Sequence, residues 1–185
     1  MTETLHQQTL QCLLTRDQIQ QRVRELGKEI SRDLCGQTIV LIGVLKGAAM
    51  FVADLARAIT VDCTFDFLAV SSYGMAMHTR GVRLIKDIDR PIENENVILA
   101  EDILDTGRTL SYLKQALLAR QPATLKVATL LDKPERRLCK IQADYVGFTI
   151  PNRFVVGYGM DFAERYRNLP DICVMPVDAP TDVWD

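Results

Sequence analysis

An apolar segment that ends in acids and leads into a loop of small residues constrains this chain more than any other sequence feature. Residues 97–109 read VILAEDILDTGRT, and the four apolar residues at the start predict a buried strand of the parallel type. The loop at 106–109 is followed by apolar residues at helical spacing, namely Leu110, Leu113, Ala116 and Leu117. The segment therefore predicts a strand, a tight loop and an amphipathic helix in succession.

The beginning of this helix is predicted to bind an anion. Free backbone N–H groups and the positive end of the helix dipole favour negative charge at this position. The hydroxyls of Thr106 and Thr109 add donors, and Gly107 lets the backbone approach a ligand closely. Together these groups are suited to a phosphate.

Three carboxylates beside the loop limit what the ligand can be. Glu101, Asp102 and Asp105 would repel a bare phosphate, so another group must lie between them and it. The hydroxyls of a sugar diol can donate hydrogen bonds to the acids, and Mg²⁺ prefers carboxylate and phosphate oxygens. Acids that only cap a helix, with a glycine that only makes a turn, would leave the acid pair at the strand end unexplained. The implied ligand is a ribose that carries a 5-phosphate.

Residues 97–109 resemble the 5-phosphoribosyl-1-pyrophosphate (PRPP) motif of the type I phosphoribosyltransferases along its whole length. From Leu14 onward the chain is similar to the hypoxanthine-guanine (6-oxopurine) enzymes of that family. Four further blocks carry this similarity: GVLKG at 43–47, SSYG at 71–74, LLDKP at 130–134 and IPNRFVVGYGMD at 150–161. The resemblance implies purine salvage, in which the phosphoribosyl group of PRPP is transferred to N9 of hypoxanthine or guanine with Mg²⁺ as cofactor. It also implies a homodimer or homotetramer.

The alternation of predicted strands and helices favours a single α/β domain of 185 residues around a parallel sheet. The resemblance implies the type I phosphoribosyltransferase fold, with a mostly parallel twisted sheet flanked by helices. Its core would span about 36–140, and a small hood would come from about 1–35 and 141–185. Predicted strands lie at 38–44, 64–71, 82–88, 97–100, 125–131, 145–150 and 154–156, with a mobile loop at 72–81 and helices after Thr15 and from 48 to 59.

The carboxyl ends of parallel strands meet at one edge of a sheet, and several candidate residues fall at such ends. The resemblance places the PRPP phosphate and ribose on Glu101, Asp102, Asp105, Thr106, Gly107, Arg108 and Thr109. It places the pyrophosphate on Lys46, Gly47, Ser72, Tyr73 and Arg167, with a cis peptide bond before Lys46. On the sequence alone, an ordinary turn at 46–47 remains an alternative.

The purine site is implied by residues after two later strands. Lys133 suits the acceptors O6 and N7 of a 6-oxopurine, and Phe154 would stack on the ring, with backbone groups near Val155 and Asp161 at its edge. Without the resemblance, Lys133 would be interpreted as a solvated lysine and Phe154 as a core residue. Asp161 is also implied in binding a second Mg²⁺ on the pyrophosphate, directly or through water.

The proposed catalyst is Asp105, which would take the N7 proton as N9 displaces pyrophosphate from C1 of the ribose. Glu101 and Asp102 would hold the ribose diol, and the Mg²⁺ ligands would be Glu101, Asp102 and Asp161. The chain departs from many bacterial relatives in the loop at 72–81, where Met75, Met77, His78 and Arg80 replace small polar residues. The closed-loop contacts of the family therefore do not transfer to this chain.

Composition narrows the remaining alternatives. A net charge of −2 argues against nucleic acid as a partner, and no apolar run approaches the length of a membrane span. Five scattered cysteines fit reduced thiols in the cytoplasm. A PRPP-binding RNA regulator of the same fold would need a basic face, while a xanthine-preferring phosphoribosyltransferase remains open because base preference depends on backbone positions.

Overall fold

The computed structural model describes residues 10–72 and 82–176, in which nine strands and three α-helices follow one another. The strands are β1 (Gln11–Leu14), β2 (Ile39–Leu45), β3 (Cys63–Ser72), β4 (Val82–Lys86), β5 (Asn96–Leu104), β6 (Thr124–Asp132), β7 (Tyr145–Thr149), β8 (Val155–Val156) and β9 (Ile172–Val174). The helices are α1 (Arg16–Asp33), α2 (Ala49–Ala58) and α3 (Arg108–Leu118), and a 3₁₀ turn spans Pro134–Arg136. None of these helices has the length and apolar character needed to cross a membrane.

The central sheet has six strands in the order β4-β3-β2-β5-β6-β7. Every neighbouring pair is parallel except β3 and β4, which are antiparallel at one edge. The predicted mostly parallel α/β sheet is thus confirmed. The connection through α3 places β6 beside β5, and β2 pairs with β5 on its other side, so the acid-bearing strand lies in the middle of the sheet.

Burial on both faces explains the continuous apolar run at the beginning of β5. Ile98 and Ala100 pack in the core cluster that contains residues of α1 and α2. Val97 and Leu99 point to the opposite face and pack in the cluster that contains residues of α3. Successive side chains alternate between the faces of a strand, so helices on both faces require apolar residues at every position.

Helix α1 begins at the capping box that the sequence predicts. The Thr15 hydroxyl accepts the N–H of Gln18, and the Gln18 carboxamide accepts the N–H of Thr15. The guanidinium of Arg22 donates to the carbonyl oxygens of Val146, at 2.8 Å, and Gly147, at 3.0 Å. These bonds attach α1 to β7, the edge strand of the central sheet.

A second sheet combines segments from both ends of the described chain, in the order β1-β9-β8. Both of its strand pairs are antiparallel. The sequence pattern did not indicate β1 or β9, because segments of four and three residues are too short to show alternation. Strand β7 lies in the stretch assigned to the hood, yet it pairs with β6 in the central sheet.

Candidate active site at the carboxyl edge of the central sheet

Three segments with candidate residues leave the central sheet at the same edge. Strands β2, β5 and β6 are parallel neighbours and end at Leu45, Leu104 and Asp132. The Lys46–Gly47 loop, the loop at 105–109 and Lys133 therefore follow adjacent strand ends. The convergence predicted from the sequence is present in the structure.

The loop at 105–109 leaves the amino-terminal end of α3 open to a ligand. Gly107 precedes the helix with φ +83°, a left-handed conformation that favours glycine, and a Cβ there would lie 2.6 Å from Ile141 Cγ2. The carbonyl of Thr106 accepts N–H groups of the segment at 138–139, which fixes the loop. The first turn of α3 contains no acid, and Gly107 provides no side-chain cap, although the Thr106 hydroxyl accepts the N–H of Arg108 at 3.5 Å. Its free N–H groups are therefore suited to an anion.

The acid pair on β5 favours uptake of a proton or a cation. The pKa of Asp102 is raised to about 6, chiefly by burial and to a smaller extent by the charge of Asp161, while backbone N–H groups and Arg167 oppose the shift. Burial, reinforced by the charge of Asp102, raises the pKa of Glu101 well above its usual range. Glu101 Oε2 is buried without a hydrogen-bond partner in the described part of the chain. An ionised pair therefore requires positive charge beside it.

The Asp102 side chain, on β5, also packs against the loop that follows β2. A Cβ on Gly47 would lie 2.0 Å from Asp102 Oδ2, so only glycine lets the loop approach this carboxylate. The Leu45–Lys46 peptide is cis, as the resemblance implied. Gly159 packs against the same loop, since its Cβ would lie 2.1 Å from the carbonyl oxygen of Gly47.

Lys46 and Arg167 meet around acids of the segment at 161–167. Arg167 Nη2 lies 2.7 Å from Asp161 Oδ1, and its Nη1 donates to the carbonyl oxygen of Gly159 at 2.8 Å. Lys46 Nζ donates to Glu164 Oε2 at 2.9 Å. Arg167 Nη2 also lies 3.4 Å from Glu164 Oε1. Glu164 therefore contacts both cations that are predicted to bind pyrophosphate. Of the other three predicted residues, Gly47 follows Lys46 in the same loop, Ser72 ends β3, and Tyr73 lies outside the described residues.

Sequence reasoning missed Glu164. The segment around it has neither helical nor strand periodicity, so no pattern predicted which side chains would meet. Three residues here, Ala163, Glu164 and Tyr166, have positive φ, and this tight turn directs Glu164 toward Lys46. Only the spacing of Asp161, Glu164 and Arg167 at intervals of three residues marked the segment as a charged cluster.

Lys133 and Asp105 form a second charged group at the same edge. The Lys133 side chain is buried, with the residue 5% exposed, which excludes the interpretation as a solvated lysine. Burial lowers its pKa, Asp105 opposes this shift, and Arg136 adds to it. Asp105 Oδ1 lies 3.2 Å from Arg136 Nε. The neighbouring Arg137 has a structural role instead, because it pairs with Asp132 and donates to backbone carbonyls.

Val155 belongs to β8 of the small sheet, Phe154 precedes it, and Val155 packs in the core cluster that contains residues of β6. The Phe154 ring packs edge to face on Phe162, with centroids 5.8 Å apart and planes at 86°. Phe154 is half-buried, which leaves part of its surface accessible, while Val155 is buried and pairs with Val174. The residues predicted for the purine therefore come from both sheets.

The acid pair fits a divalent cation that takes further ligands from its substrate. The orphaned Glu101 Oε2 and the raised pKa values indicate missing positive charge. Across residues 10–72 and 82–176, no three His, Cys, Asp or Glu side chains are grouped closely enough to hold a metal ion. Mg²⁺ commonly uses one or two carboxylates and completes its shell with water and phosphate oxygens.

Replacing Glu101 with Gln is expected to stabilise the metal-free protein at neutral pH. Folding raises the pKa of the Glu101 carboxyl, so the folded protein favours the protonated acid. The free energy of unfolding therefore falls as pH rises from the unfolded-state pKa through the folded-state pKa, and Gln avoids this loss. In EDTA at pH 7.5, Glu101→Gln should raise Tm by about 2–4 °C, the effect of about 1 kcal/mol in a domain of this size. At pH 5 this difference should shrink.

Thermal melts at both pH values measure the effect, with the exposed Glu93→Gln as the control that removes one charge elsewhere. A variant that is less stable than the parent at both pH values would show that the ionised acid does not strain the fold.

Comparison with known proteins places this geometry in context. The family profile of the phosphoribosyl transferase domain matches residues 13–163. The bifunctional protein TilS/HprT of Listeria monocytogenes is 45% identical over 174 residues, which are 94% of this chain and 27% of that protein. The chain thus spans about a quarter of the length of this relative.

Other relatives match over most of their length. The hypoxanthine-guanine phosphoribosyltransferase of Mycobacterium tuberculosis is 51% identical over 164 residues, 85% of this chain and 81% of that protein. The crystal structure of a hypoxanthine phosphoribosyltransferase from Staphylococcus aureus aligns with a TM-score of 0.88 at 44% identity, and the alignment covers 95% of this chain and 96% of that one.

Proposed function

Because this chain belongs to the phosphoribosyltransferase family, we propose that it is a purine-salvage enzyme that transfers the phosphoribosyl group of PRPP to a 6-oxopurine. The base is hypoxanthine or guanine, and the products are IMP or GMP and pyrophosphate. The observation that carries the proposal is the meeting of three groups at one sheet edge. These are an open helix end after the acid pair, the cations Lys46 and Arg167, and the buried Lys133.

The chain would bind PRPP through hydrogen-bond donors and positive charge at both ends of the ribose, because each end carries an anion. The amides and hydroxyls at 106–109 would hold the 5-phosphate at the end of α3. Lys46, the Gly47 amide and Arg167 would hold the pyrophosphate, with Ser72 and Tyr73 as further predicted contacts. Both anions are then held while the reacting carbon lies between them, which orients C1 for attack.

Glu101 and Asp102 would hold a cation together with the ribose diol. When bound, Mg²⁺ supplies positive charge shared by the diol and the pyrophosphate oxygens. Asp102 is placed for this role because its carboxylate contacts Gly47 of the pyrophosphate loop. Asp161, held by Arg167, would contribute to a second Mg²⁺ on the pyrophosphate, directly or through water.

Asp105 would act as the general base. As the N9 lone pair forms the bond to C1, the bond from C1 to the pyrophosphate oxygen breaks, and the N7 proton passes to the carboxylate of Asp105. Lys133 would donate to O6 of the base, which adenine replaces with an amino group. The closeness of the two side chains, which interact electrostatically, supports this arrangement.

A spectrophotometric assay tests the proposal. Purified protein is mixed with PRPP and Mg²⁺, and hypoxanthine, guanine, xanthine or adenine is supplied separately. Turnover of hypoxanthine or guanine, lost in EDTA and absent with adenine, is the expected result. Faster turnover of xanthine would identify the xanthine-preferring alternative. Binding of PRPP without turnover of any base would contradict the enzyme and favour the RNA regulator.

The proposal extends to assembly and location. The exposed side chains of Phe65 on β3 and Ile85 on the edge strand β4 support a homodimer or homotetramer, since large apolar side chains near a sheet edge favour a covering partner. Five free cysteines without a disulfide in the described residues support the cytoplasm.

A further inference from the structure

Glu164 forms ion pairs with Lys46 and Arg167, the two cations that are predicted to bind pyrophosphate. One of its carboxylate oxygens, Oε2, accepts from Lys46 Nζ at 2.9 Å. The other, Oε1, lies 3.4 Å from Arg167 Nη2. A single carboxylate therefore presents one oxygen to each cation, as a pyrophosphate would.

The turn around Glu164 holds it in this bridging position. Its backbone has φ +63° and follows Ala163 at φ +50°, conformations that non-glycine residues adopt at a cost. The N–H of Glu164 donates to Asp161 Oδ2 at 2.9 Å, which stabilises the turn. The hydrogen bond from Lys46 lowers the pKa of Glu164, so the carboxylate is charged at neutral pH.

The ion pair between Lys46 and Glu164 is easily displaced, whereas the Arg167 side chain is 24% exposed and its Nη2 lies 3.4 Å from Glu164 Oε1 but 2.7 Å from Asp161 Oδ1. The side chains of Lys46 and Glu164 are 66% and 65% exposed, and exposed ion pairs are weak. Arg167 Nε is buried and has no hydrogen-bond partner among the described residues.

We propose that Glu164 is an internal competitor of pyrophosphate. Its carboxylate bridges Lys46 and Arg167 in the empty site and forms both ion pairs again when pyrophosphate leaves. The inference rests on the proposed function, because it requires that these cations bind pyrophosphate. It predicts that removing the carboxylate strengthens pyrophosphate binding and slows its release. In that case Glu164 favours turnover at the expense of affinity.

Calorimetric titration of the full chain with inorganic pyrophosphate and Mg²⁺ tests this inference. Glu164→Gln is expected to lower the Kd for pyrophosphate by about two- to tenfold, the range for the loss of one exposed ion pair and one longer, half-buried pair. Glu164→Asp keeps the charge but is too short to bridge both cations, so an intermediate Kd is expected. Glu93→Gln, an exposed acid in the loop before β5, removes the same charge and should leave Kd unchanged.

Two further readouts separate competition from a structural role. The difference in Kd for pyrophosphate between Glu164→Gln and the parent should become smaller as salt is added, because exposed charges are screened. Product inhibition by pyrophosphate should set in at a lower concentration than in the parent. Equal or weaker binding by Glu164→Gln, in variants whose thermal melts match the parent, would overturn the role of Glu164. Failure of the parent to bind pyrophosphate at all would overturn the proposed function itself.

Discussion

Asp105→Asn is expected to lower kcat by about 10²–10⁴-fold, the usual contribution of a general base. Asn has nearly the same shape, but it cannot take the N7 proton from the purine. Asp105 lies beside Lys133 and Arg136 at the edge where β5 and β6 end, so its loss should affect the base side of the site. The Kd for PRPP should change by no more than a few-fold, because Glu101, Asp102 and the end of α3 remain.

Single-turnover kinetics with hypoxanthine, together with PRPP titration, separate these two effects. Glu135→Gln provides the matched control, since this exposed acid lies on the neighbouring 3₁₀ turn and loses the same charge. An Asp105→Asn protein with unchanged kcat would remove Asp105 from the chemistry. A protein that loses PRPP binding together with turnover would reassign Asp105 to substrate binding.

Gly47→Ala is expected to lower kcat/KM for PRPP by about 100-fold or more, because a displacement of about 1 Å in a catalytic site has effects of that size. The added Cβ would lie 2.0 Å from Asp102 Oδ2 and 2.6 Å from its Cγ, so either the loop or the carboxylate must move. Both belong to the proposed site, where Lys46 would bind pyrophosphate and Asp102 would bind the diol and the cation.

Gly36→Ala is the control for the substitution itself. Gly36 has φ +75° but its Cβ would meet nothing within 4 Å, so only backbone strain of about 1 kcal/mol is expected, with activity retained. Comparison of kcat/KM and Tm for the two variants makes the test. Activity in Gly47→Ala close to that of Gly36→Ala would show that the contact between Gly47 and Asp102 does not position the site.

Periodicity made much of the central sheet predictable. The apolar run before Glu101 and the capping box at Thr15 depend on local pattern, and the structure confirms both. The short strands β1 and β9 were missed, since their stability depends on partners distant in sequence. Strand β7 was recognised as a strand, but its place in the central sheet depends on pairing with β6, which no local pattern contains.

The site was predictable where residues follow strand ends and unpredictable where loops turn back. Lys46 and Lys133 were implied by the family resemblance, and their places after parallel strands predicted that they lie at one edge of the sheet. The contact of Asp102 with Gly47 and the bridge formed by Glu164 depend on loop conformation, including positive φ values in the segment at 163–166. Sequence spacing carries no information on such distances.

The most direct test is a crystal structure of the protein with IMP, Mg²⁺ and pyrophosphate. We expect the 5′-phosphate on the amides at 106–109, the ribose hydroxyls on Glu101 and Asp102, and O6 of the purine within hydrogen-bond distance of Lys133 Nζ. Pyrophosphate should contact Lys46 and Arg167, with Glu164 displaced from both. A nucleotide bound elsewhere, or with its phosphate away from the end of α3, would contradict the proposed site.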